Sequence, residues 1–311
     1  MRLSPDIRYD VATALSRGQR HYQEDAIVAD FPIGSDTGFA VLSDGMGGHS
    51  AGDVASKIVL TEVYSELKLQ SGVAETFASN VPDILENAAL AANECIKSHV
   101  GQHPNTRGMG ATLIAPVFLG PQLYWISVGD SPLYLFRDGS LSQLNEDHSM
   151  APQIDLMVES GLLDAEEGAE HPDRNCLTSV LIGEEIAQID CPKEPVTLQD
   201  GDILVAASDG LQFLDDDEIE DVLSTNAAQP SAKIAKLLLQ ELEELADPDQ
   251  DNVCFSVIRI RDRAKVKPEL MQDQVEPHVV HDAEQLVLAK RPGFNPFSMF
   301  RRMFSVREDL L

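Results

Sequence analysis

Four aspartates in this sequence stand at the boundaries of predicted strands, where carboxylates can meet. They are Asp44, Asp130, Asp209 and Asp251, and most have a small, flexible neighbour. Strands that end at one edge of a sandwich bring such acids together, and like charges packed closely are unfavourable unless a divalent cation neutralises them. Ligands that are all oxygen favour magnesium or manganese over zinc. Two such cations sharing one carboxylate form a clamp typical of phosphoester hydrolysis, in which a metal-bound hydroxide attacks phosphorus in line.

The first of these acids lies in the segment VLSDGMGGHSAGDVASKI, residues 41–58. A buried strand is predicted over 39–42 and a helix that begins near Ser50. Because Gly45 frees the backbone, Asp44 can offer both a carboxylate and a carbonyl oxygen to a hard cation. Taken alone, this segment is better explained as an ordinary strand–turn–helix corner with a solvated aspartate, because glycine-rich corners are common.

The loop SRGQRHYQEDAIVAD carries three further candidates, Arg20, Glu24 and Asp25. A guanidinium group is a fork-shaped donor for phosphate oxygens, so Arg20 is a candidate phosphate ligand. Glu24 and Asp25 are candidates to join the metal site. The alternative for this loop is a set of polar side chains that are paired only with water.

The elements that must position these residues read as an antiparallel meander with covering helices. Short strands are predicted over 9–14, 26–29, 39–42, 111–115, 122–128, 133–137, 198–208 and 253–260. Amphipathic helices are predicted over 50–68, 81–100 and 231–245. A hairpin turn is expected at Asp138-Gly139. An irregular insert from Glu146 to Gly183 predicts a flap beside the site, with a helix that stops at Gly161 and another capped by Asp164.

The composition excludes some classes of function. The chain has 311 residues and a net charge of −29, a field that argues against nucleic acid as a partner. Its four cysteines show no C-x-x-C spacing, which argues against a zinc ribbon. The N-terminal residues contain no apolar core like that of a signal peptide, and no run is as long as a membrane span. We therefore expect a cytoplasmic, monomeric protein with reduced thiols.

A series of motifs, taken in order, resembles the metal-dependent protein phosphatase (PPM) family, and most closely its bacterial serine/threonine phosphatases. The resemblance covers about residues 10–260 and implies an α+β fold, a four-layer α-β-β-α sandwich with two central antiparallel sheets. It also implies two Mn²⁺ or Mg²⁺ ions and phosphorylated proteins as substrates. The motifs are Arg20 with Glu24-Asp25, SDGMGGHSAGDVAS, GMGATL, VGDSPLYL, LNEDHS, HPDRNCLT, AASDGL and DQDN.

The resemblance also implies a role for each candidate. Asp44 matches the ligand that bridges both ions, and Arg20 matches the phosphate-binding arginine. Asp130 matches an acid linked to a weaker third metal. The ligands that complete the two main ions are implied to be Asp209 and Asp251 for the first, and Glu24 and the carbonyl group of Gly45 for the second, with Asp25 contacting a metal-bound water.

Four positions depart from the family pattern. Gln23 replaces an asparagine before the acidic pair, and Pro132 replaces a structural arginine. Phe213 stands where many members have an acid that helps to hold the third metal, so that metal would depend on Asp215 or a neighbour. Met46 stands where some branches have a histidine that protonates the leaving group, which leaves a metal-bound water as general acid.

The phosphatase-like domain is predicted to span residues 1–262, with its flap at about 149–180. Residues 263–290 read as a linker, and residues 291–311 as a basic, aromatic segment. In that segment Phe297, Phe300 and Phe304 share one face of a predicted helix that begins at Asn295-Pro296. Such a segment suits an anionic membrane surface, a groove on a partner, or its own domain, and it is equally consistent with a disordered tail.

The sequence thus predicts a metal-dependent phosphatase that removes phosphate from serine or threonine in a single step, by attack of a metal-bridging hydroxide while Arg20 holds the phosphate. Two alternatives stay open. One is a non-catalytic PPM-like module that binds phosphorylated partners. The other is a two-metal hydrolase of small phosphoesters.

Overall fold

The computed structural model describes residues 7–47, 51–72 and 74–262, and its framework is a set of twelve strands. The strands are β1 (Ile7–Ser16), β2 (Ala26–Asp30), β3 (Thr37–Ser43), β4 (Gly45–Met46), β5 (Gly110–Ala111), β6 (Leu113–Leu119), β7 (Gln122–Val128), β8 (Leu133–Arg137), β9 (Ser140–Gln143), β10 (Val196–Thr197), β11 (Ile203–Ala207) and β12 (Val253–Asp262).

Ten of these strands form two five-stranded sheets. The first sheet has the order β1-β12-β11-β8-β9 and the second the order β10-β7-β6-β3-β2, while β4 and β5 form a separate two-stranded pair. Every pairing is antiparallel. The prediction of antiparallel sheets is therefore right, but a simple meander is wrong, because β1 pairs with β12 from the far end of the domain.

The described residues form seven helices, five of which cover the outer faces of the two sheets. They are α1 (Ala51–Gln70), α2 (Ala74–Ser79), α3 (Val81–Gln102), α4 (Ala151–Glu159), α5 (Ala165–Ala169), α6 (Asp216–Asn226) and α7 (Ser231–Leu245), with short 3-10 segments at Pro104–Thr106 and Asp209–Phe213. Helices α1 to α3 pack on the second sheet through one apolar core. Helices α6 and α7 pack on the first sheet through another.

A third core lies between the two sheets. Leu42 and Ile114 of the second sheet meet Leu204 and Ile258 of the first in this layer. Their neighbours along the strands point the opposite way, so that Val41 contributes instead to the core under α1 and α3. This alternation is the two-residue period of strands that are covered on both faces. The four-layer α-β-β-α sandwich predicted from the sequence is confirmed.

Several predicted elements match the structure closely. Helix α7 and strands β7 and β8 have the predicted bounds. The hairpin is present, since Asp138 has a φ of 53° and Gly139 a φ of 88°, as a two-residue turn with positive φ at both positions requires. The strand predicted over 111–115 is wrong in one respect, because it divides at Thr112 into β5 and β6. Helices α2 and α6 and strand β9 were not predicted.

The predicted flap contains the two expected short helices, α4 and α5. The side chain of Asp164 caps α5 by accepting a hydrogen bond from the Glu167 N–H at 2.7 Å. A β-bridge between Ser149 and Leu177 closes the base of the flap, and Arg174 forms a two-pronged ion pair with Asp155 of α4, at 2.7 and 3.1 Å. These contacts tie the flap's two ends together beside the edge of the sandwich.

The linker over 263–290 and the basic, aromatic segment over 291–311 lie outside the described residues, so those two predictions, and the domain boundary at 262, stay predictions. Among the helices that the structure describes, none combines the length and the apolar character that a membrane span requires. All four cysteines are free thiols.

Candidate active site at the edge of the two sheets

The predicted acids converge on a pocket of about 360 Å³ at one edge of the sandwich. It is lined by Arg20, Glu24, Asp44, Gly45, Met46, Gly47, Thr112, Asp130, Asn175, Leu177, Asp209, Asp251 and Asn252. A larger groove of about 540 Å³ between α1 and α3 has a mainly apolar lining, so the chemistry of the walls, not the size, identifies the site. Of the predicted site residues, Asp25 alone is not in the lining.

The fold explains why acids that are distant in sequence meet. Asp44 follows β3 and Asp130 lies two residues after the end of β7, in the second sheet, whereas Asp209 and Asp251 flank β11 and β12 in the first. The end of β11 lies beside the start of β12, since Ala207 pairs with Phe255. Each sheet thus brings two carboxylates to the same edge, and the pocket spans the gap between the sheets.

Burial and mutual repulsion raise the pKa values of these carboxyl groups. Burial is the main cause for Asp44, whose pKa lies well above its ordinary value, and the charges of Asp25, Asp209 and Asp130 raise it further. Burial likewise raises the pKa of Asp130 to about 7, with the charge of Asp209 as the next cause. A group of acids held this way is unfavourable without positive charge beside it, as expected of a cation site.

Several carboxylate oxygens at the site are buried and have no hydrogen-bond partner among the described residues. They are Glu24 Oε1, Asp25 Oδ1 and Asp209 Oδ1. Buried polar atoms are rarely left unpaired, because each costs about 1–3 kcal/mol. Three unpaired carboxylate oxygens beside one pocket are the donor set that a hard divalent cation takes. The residues present therefore fit the two cations implied by the sequence.

Backbone at the start of α1 closes tightly around Glu24. A Cβ atom at Gly52 would lie 2.6 Å from Glu24 Oε1, and one at Gly45 would lie 2.1 Å from the Gly52 carbonyl oxygen. Both positions therefore require glycine, so that the Glu24 carboxylate and the Gly45 carbonyl group can face the same space. Gly52 was not among the predicted site residues, although the run GGHSAG signals a close approach of backbone.

In this structure positive charge reaches the acids from Arg20. Arg20 Nη2 lies 2.6 Å from Asp251 Oδ2. Burial, and next the charges of Asp25 and Asp209, raise the pKa of Asp44, so its carboxyl group retains a proton more readily than an ordinary aspartate. Within the described residues no three His, Cys, Asp or Glu side chains are grouped so as to hold a metal ion as they stand. A cation bound at Asp251 Oδ2 would therefore compete with Arg20 for that oxygen.

Asn252 holds the loop that carries Arg20 and Glu24. Its Oδ1 accepts a hydrogen bond from the Glu24 N–H at 2.7 Å, and its Nδ2 donates to the carbonyl oxygens of Arg17 and Tyr22, both at 2.9 Å. One buried amide thus fixes both ends of the loop against the entrance of β12. The DQDN motif included Asn252, but its spacing gives no sign of these contacts with a segment more than 200 residues away.

The loop also explains the first departure from the family pattern. Gln23 Nε2 donates to the Ser16 carbonyl oxygen at 2.8 Å, and its Oε1 accepts from the Asp25 N–H at 3.0 Å. The glutamine amide therefore braces the acidic pair from within the loop. Asp25 itself lies behind the pocket, where its Oδ2 accepts a hydrogen bond from Ser208 Oγ at 2.8 Å.

The position at which the family resemblance implies an acid for a third metal is occupied here by Phe213. Phe213 is partly buried against the core beneath α6 and α7, and Asp215 begins α6 in a capping box with Glu218. Neither residue is among the described residues that line the pocket. Outside the predicted set, Asp147 is an acid whose charge acts on this site, since it also raises the pKa of Asp130 after burial and the charge of Asp209.

The raised pKa values predict how pH changes the stability of the metal-free protein. The folded protein keeps protons on Asp25 and Asp130 up to a pKa of about 7, whereas the unfolded chain releases them near pH 4. Because the folded state binds more protons, its free energy of unfolding falls as pH rises from about 4 to 7, by about 1.4 kcal/mol per pH unit for each proton. Thermal unfolding in chelator at pH 5.5 and pH 8 measures this loss of stability as a fall in the unfolding temperature.

Asp130→Asn provides the control for that experiment. The variant lacks one of the carboxyl groups that must ionise, so its unfolding temperature should fall less between pH 5.5 and pH 8 than that of the unmodified protein. Added Mn²⁺ should restore much of the stability of the unmodified protein at pH 8. An equal fall in both proteins would contradict the assignment of a raised pKa to Asp130.

Comparison with known proteins gives a consistent result. A family model described as Protein phosphatase 2C matches residues 17–245. The serine/threonine protein phosphatase PstP of Mycobacterium tuberculosis is 32% identical over 201 residues, which are 64% of this chain and 37% of PstP. This chain thus spans little more than a third of the length of that relative. A putative protein phosphatase 2C-type of Streptococcus pyogenes is 31% identical over 248 residues, 78% of this chain and 93% of the relative.

Solved structures show the same similarity in three dimensions. A crystal structure of M. tuberculosis PstP superposes with a TM-score of 0.67 at 30% identity, and covers 82% of this chain and 99% of that one. The catalytic domain of PstP in complex with two manganese ions gives a TM-score of 0.65 at 30% identity, and covers 83% of this chain and 99% of that one.

Proposed function

Because the chain belongs to the protein phosphatase 2C family, we propose that it hydrolyses phosphoserine and phosphothreonine in proteins with the help of two divalent cations. The observation that carries this proposal is the pocket in which acids from both sheets surround one space beside Arg20. The predicted resemblance to the metal-dependent protein phosphatases, and to their bacterial serine/threonine branch, is confirmed by the relatives. Their names favour catalysis over the alternative of a phosphoprotein-binding module.

The ligand assignment follows the sequence and is supported by the unpaired oxygens. As the resemblance implies, Asp44 would contribute to both cations, and after burial the charges of three neighbouring acids act on its pKa. The remaining ligands would be Glu24, the Gly45 carbonyl group, Asp209 and Asp251. Cations held there would lower the pKa of a bound water and neutralise charge on the phosphate group.

The side chains of the pocket also limit the mechanism. Among its described lining residues there is no His, Cys, Lys or Tyr, and the Thr112 hydroxyl group is bonded to the Asp44 N–H and to Ser131, which leaves carboxylates as the available side-chain nucleophiles. Those carboxylates are the proposed cation ligands, so direct attack by water is favoured over a covalent phosphoenzyme. Arg20 is the cationic side chain of the lining, with 55% of its side chain exposed, and it can turn from Asp251 to hold the phosphate group.

The flap forms one wall of the pocket, and a protein substrate would contact this wall. Asn175 and Leu177 line the pocket opposite the sheet edges, and Asn175 is exposed. Such a wall can contact the peptide around a phosphorylated side chain, whereas a small ester would leave it unused. The flap therefore supports phosphoproteins over small phosphoesters as substrates.

Four further expectations remain proposals. A weak third cation would use Asp130, with Asp147, whose charge acts on Asp130, as an additional acid in place of Phe213. A monomer and a cytoplasmic location remain as predicted, and four free thiols agree with a reducing compartment. A signalling role opposite a protein kinase is proposed with them.

The experiment that tests the substrate class compares esters at matched concentration with Mn²⁺ present. We expect kcat/KM for phosphothreonine and phosphoserine peptides to exceed that for phosphotyrosine peptides and for a small aryl phosphate by at least about tenfold, because only peptides engage the flap. Equal or higher kcat/KM for the small ester would favour the small-phosphoester hydrolase instead.

A further inference from the structure

Thr112 lies at the point where the corners that carry Asp44 and Asp130 meet. It interrupts the β5–β6 strand, is 2% exposed and lines the pocket. Its Oγ1 accepts a hydrogen bond from the Asp44 N–H at 3.0 Å, and its own N–H donates to the Asp44 carbonyl oxygen at 2.8 Å. Thr112 therefore fixes both backbone groups of Asp44.

The same hydroxyl group reaches the second corner. Thr112 Oγ1 lies 2.8 Å from Oγ of Ser131, the residue after Asp130, and this hydrogen bond is buried. A hydroxyl group has one proton and two lone pairs, so Thr112 can accept from the Asp44 N–H and bond Ser131 at once. A buried chain of two hydrogen bonds thus runs from the backbone of Asp44 to the side chain beside Asp130.

The methyl group of Thr112 packs against the turn before Asp130. A Cβ atom at Gly129 would lie 2.6 Å from Thr112 Cγ2, and Gly129 has a φ of +108°. The turn is also held by His148, whose ring Nδ1 accepts from the Gly129 N–H at 3.2 Å. The two halves of the threonine side chain therefore have separate tasks: the methyl group packs under the turn, and the hydroxyl group joins the corners.

We propose that Thr112 is a positioning residue whose hydroxyl group sets the spacing between the Asp44 and Asp130 carboxylates, and thereby the affinity of the site for divalent cations. The proposal rests on the proposed function in that these acids hold the cations. Thr112 does not itself have to touch a cation or the phosphate group. Partners of this kind, which orient metal ligands, typically change metal affinity by about 10- to 100-fold when they are removed.

Two substitutions separate the hydroxyl group from the methyl group. Thr112→Val keeps the volume and the packing under Gly129 but removes the hydroxyl group, whereas Thr112→Ser keeps the hydroxyl group and removes the methyl group. Thr106→Val is the matched control, because it removes another largely buried threonine hydroxyl, one that donates to the His103 carbonyl oxygen at 2.8 Å, away from the pocket.

The measurement is the Kd for Mn²⁺ by titration calorimetry, together with thermal unfolding in chelator. We expect Thr112→Val to weaken Mn²⁺ binding by about 10- to 100-fold, while Thr112→Ser and Thr106→Val stay within about threefold of the unmodified protein. A purely structural role would lower the unfolding temperature without this pattern. The proposal is overturned if Thr112→Val binds Mn²⁺ as tightly as the unmodified protein, or if Thr112→Ser binds as weakly as Thr112→Val.

Ser131→Ala provides a second test that does not depend on the folding of Thr112→Val. It removes the link to the Asp130 corner but leaves the Asp44 N–H bonded, so we expect a smaller loss of Mn²⁺ affinity than for Thr112→Val. In the double variant the losses should not add, because both substitutions break one chain of hydrogen bonds. Unchanged Mn²⁺ affinity in Ser131→Ala would overturn the coupling of the corners.

These results are separable from the proposed function. If the unmodified protein bound Mn²⁺ but released no phosphate, the phosphatase proposal would fail, and the ratio of Mn²⁺ affinities between the variants would still decide the role of Thr112.

Discussion

Asp44→Asn should lower kcat for a phosphothreonine peptide by at least about 10³-fold, because it weakens the one ligand proposed to serve both cations. Asparagine has nearly the shape of aspartate but no negative charge. The variant should therefore bind Mn²⁺ more weakly while it keeps the fold. Phosphate release under saturating peptide measures kcat, and circular dichroism checks that the variant keeps the fold.

The stability of this variant gives a sharper test than its activity. Burial and neighbouring charges hold the pKa of Asp44 well above its ordinary value, so ionised Asp44 destabilises the metal-free protein at alkaline pH. In chelator at pH 8, Asp44→Asn should unfold at the same temperature as the unmodified protein or at a higher one. Asp138→Asn, in the exposed hairpin turn, is the matched control and should leave kcat unchanged. Activity of Asp44→Asn near the level of that control would refute the assignment of Asp44.

Arg20→Ala should lower kcat/KM for phosphopeptides by about 10²-fold, as expected when a fork-shaped donor to a phosphate group is removed from a site that excludes other cationic side chains. Arg20→Lys should recover only part of this loss, since an ammonium group lacks the two parallel donors. Steady-state kinetics with one peptide over a range of concentrations would measure both variants.

Removing Arg20 should not weaken cation binding, in contrast to the expected loss of kcat/KM. Arg20 contacts Asp251 at 2.6 Å, so it competes with a cation for that carboxylate, and Arg20→Ala should bind Mn²⁺ at least as tightly as the unmodified protein. Arg17→Ala is the control, because Arg17 is exposed in the same loop and does not line the pocket. Weaker Mn²⁺ binding in Arg20→Ala, or unchanged kcat/KM, would argue that Arg20 supports the loop and does not hold phosphate.

Without cations, the site lowers the stability of the folded protein. Buried acids with raised pKa values and unpaired oxygens destabilise the fold on which they sit. The compensation lies in the three apolar cores and in the buried amide of Asn252, which hold the corners of the strands in place whether or not the charges are neutralised. Functional sites commonly carry such local cost.

The fold was most predictable where local chemistry alone determines the structure. The Asp138-Gly139 turn follows from its positive φ angles, and α7 from its regular apolar stripe. Helix α6 was missed because its first turn is a run of acids, which reads as solvated loop, although Asp215 and Glu218 form a capping box there. The pairing of β1 with β12 joins residues some 240 positions apart, which no local pattern encodes.

The acidic residues of the site could be predicted from the sequence, but the residues that hold these acids in position could not. Each aspartate stands at a strand boundary, so both its presence and its edge of the sheet follow from the sequence. The roles of Thr112 and Asn252 depend on contacts between segments that are far apart in the chain, and residue type gives no sign of them. Phe213 was predicted only in part. The resemblance indicated that an acid is absent at this position, but it did not indicate that the Phe213 ring packs against the core beneath α6 and α7.

Phosphate release from a phosphothreonine peptide, with added Mn²⁺ and with a chelator, tests the central claim most directly, with Asp209→Asn as the control. We predict release that depends on Mn²⁺, that stops with chelator and returns with excess Mn²⁺, and that is lost in Asp209→Asn although this variant stays folded. Absence of release with Mn²⁺ or Mg²⁺, or equal release by Asp209→Asn, would contradict a phosphatase built on these carboxylates.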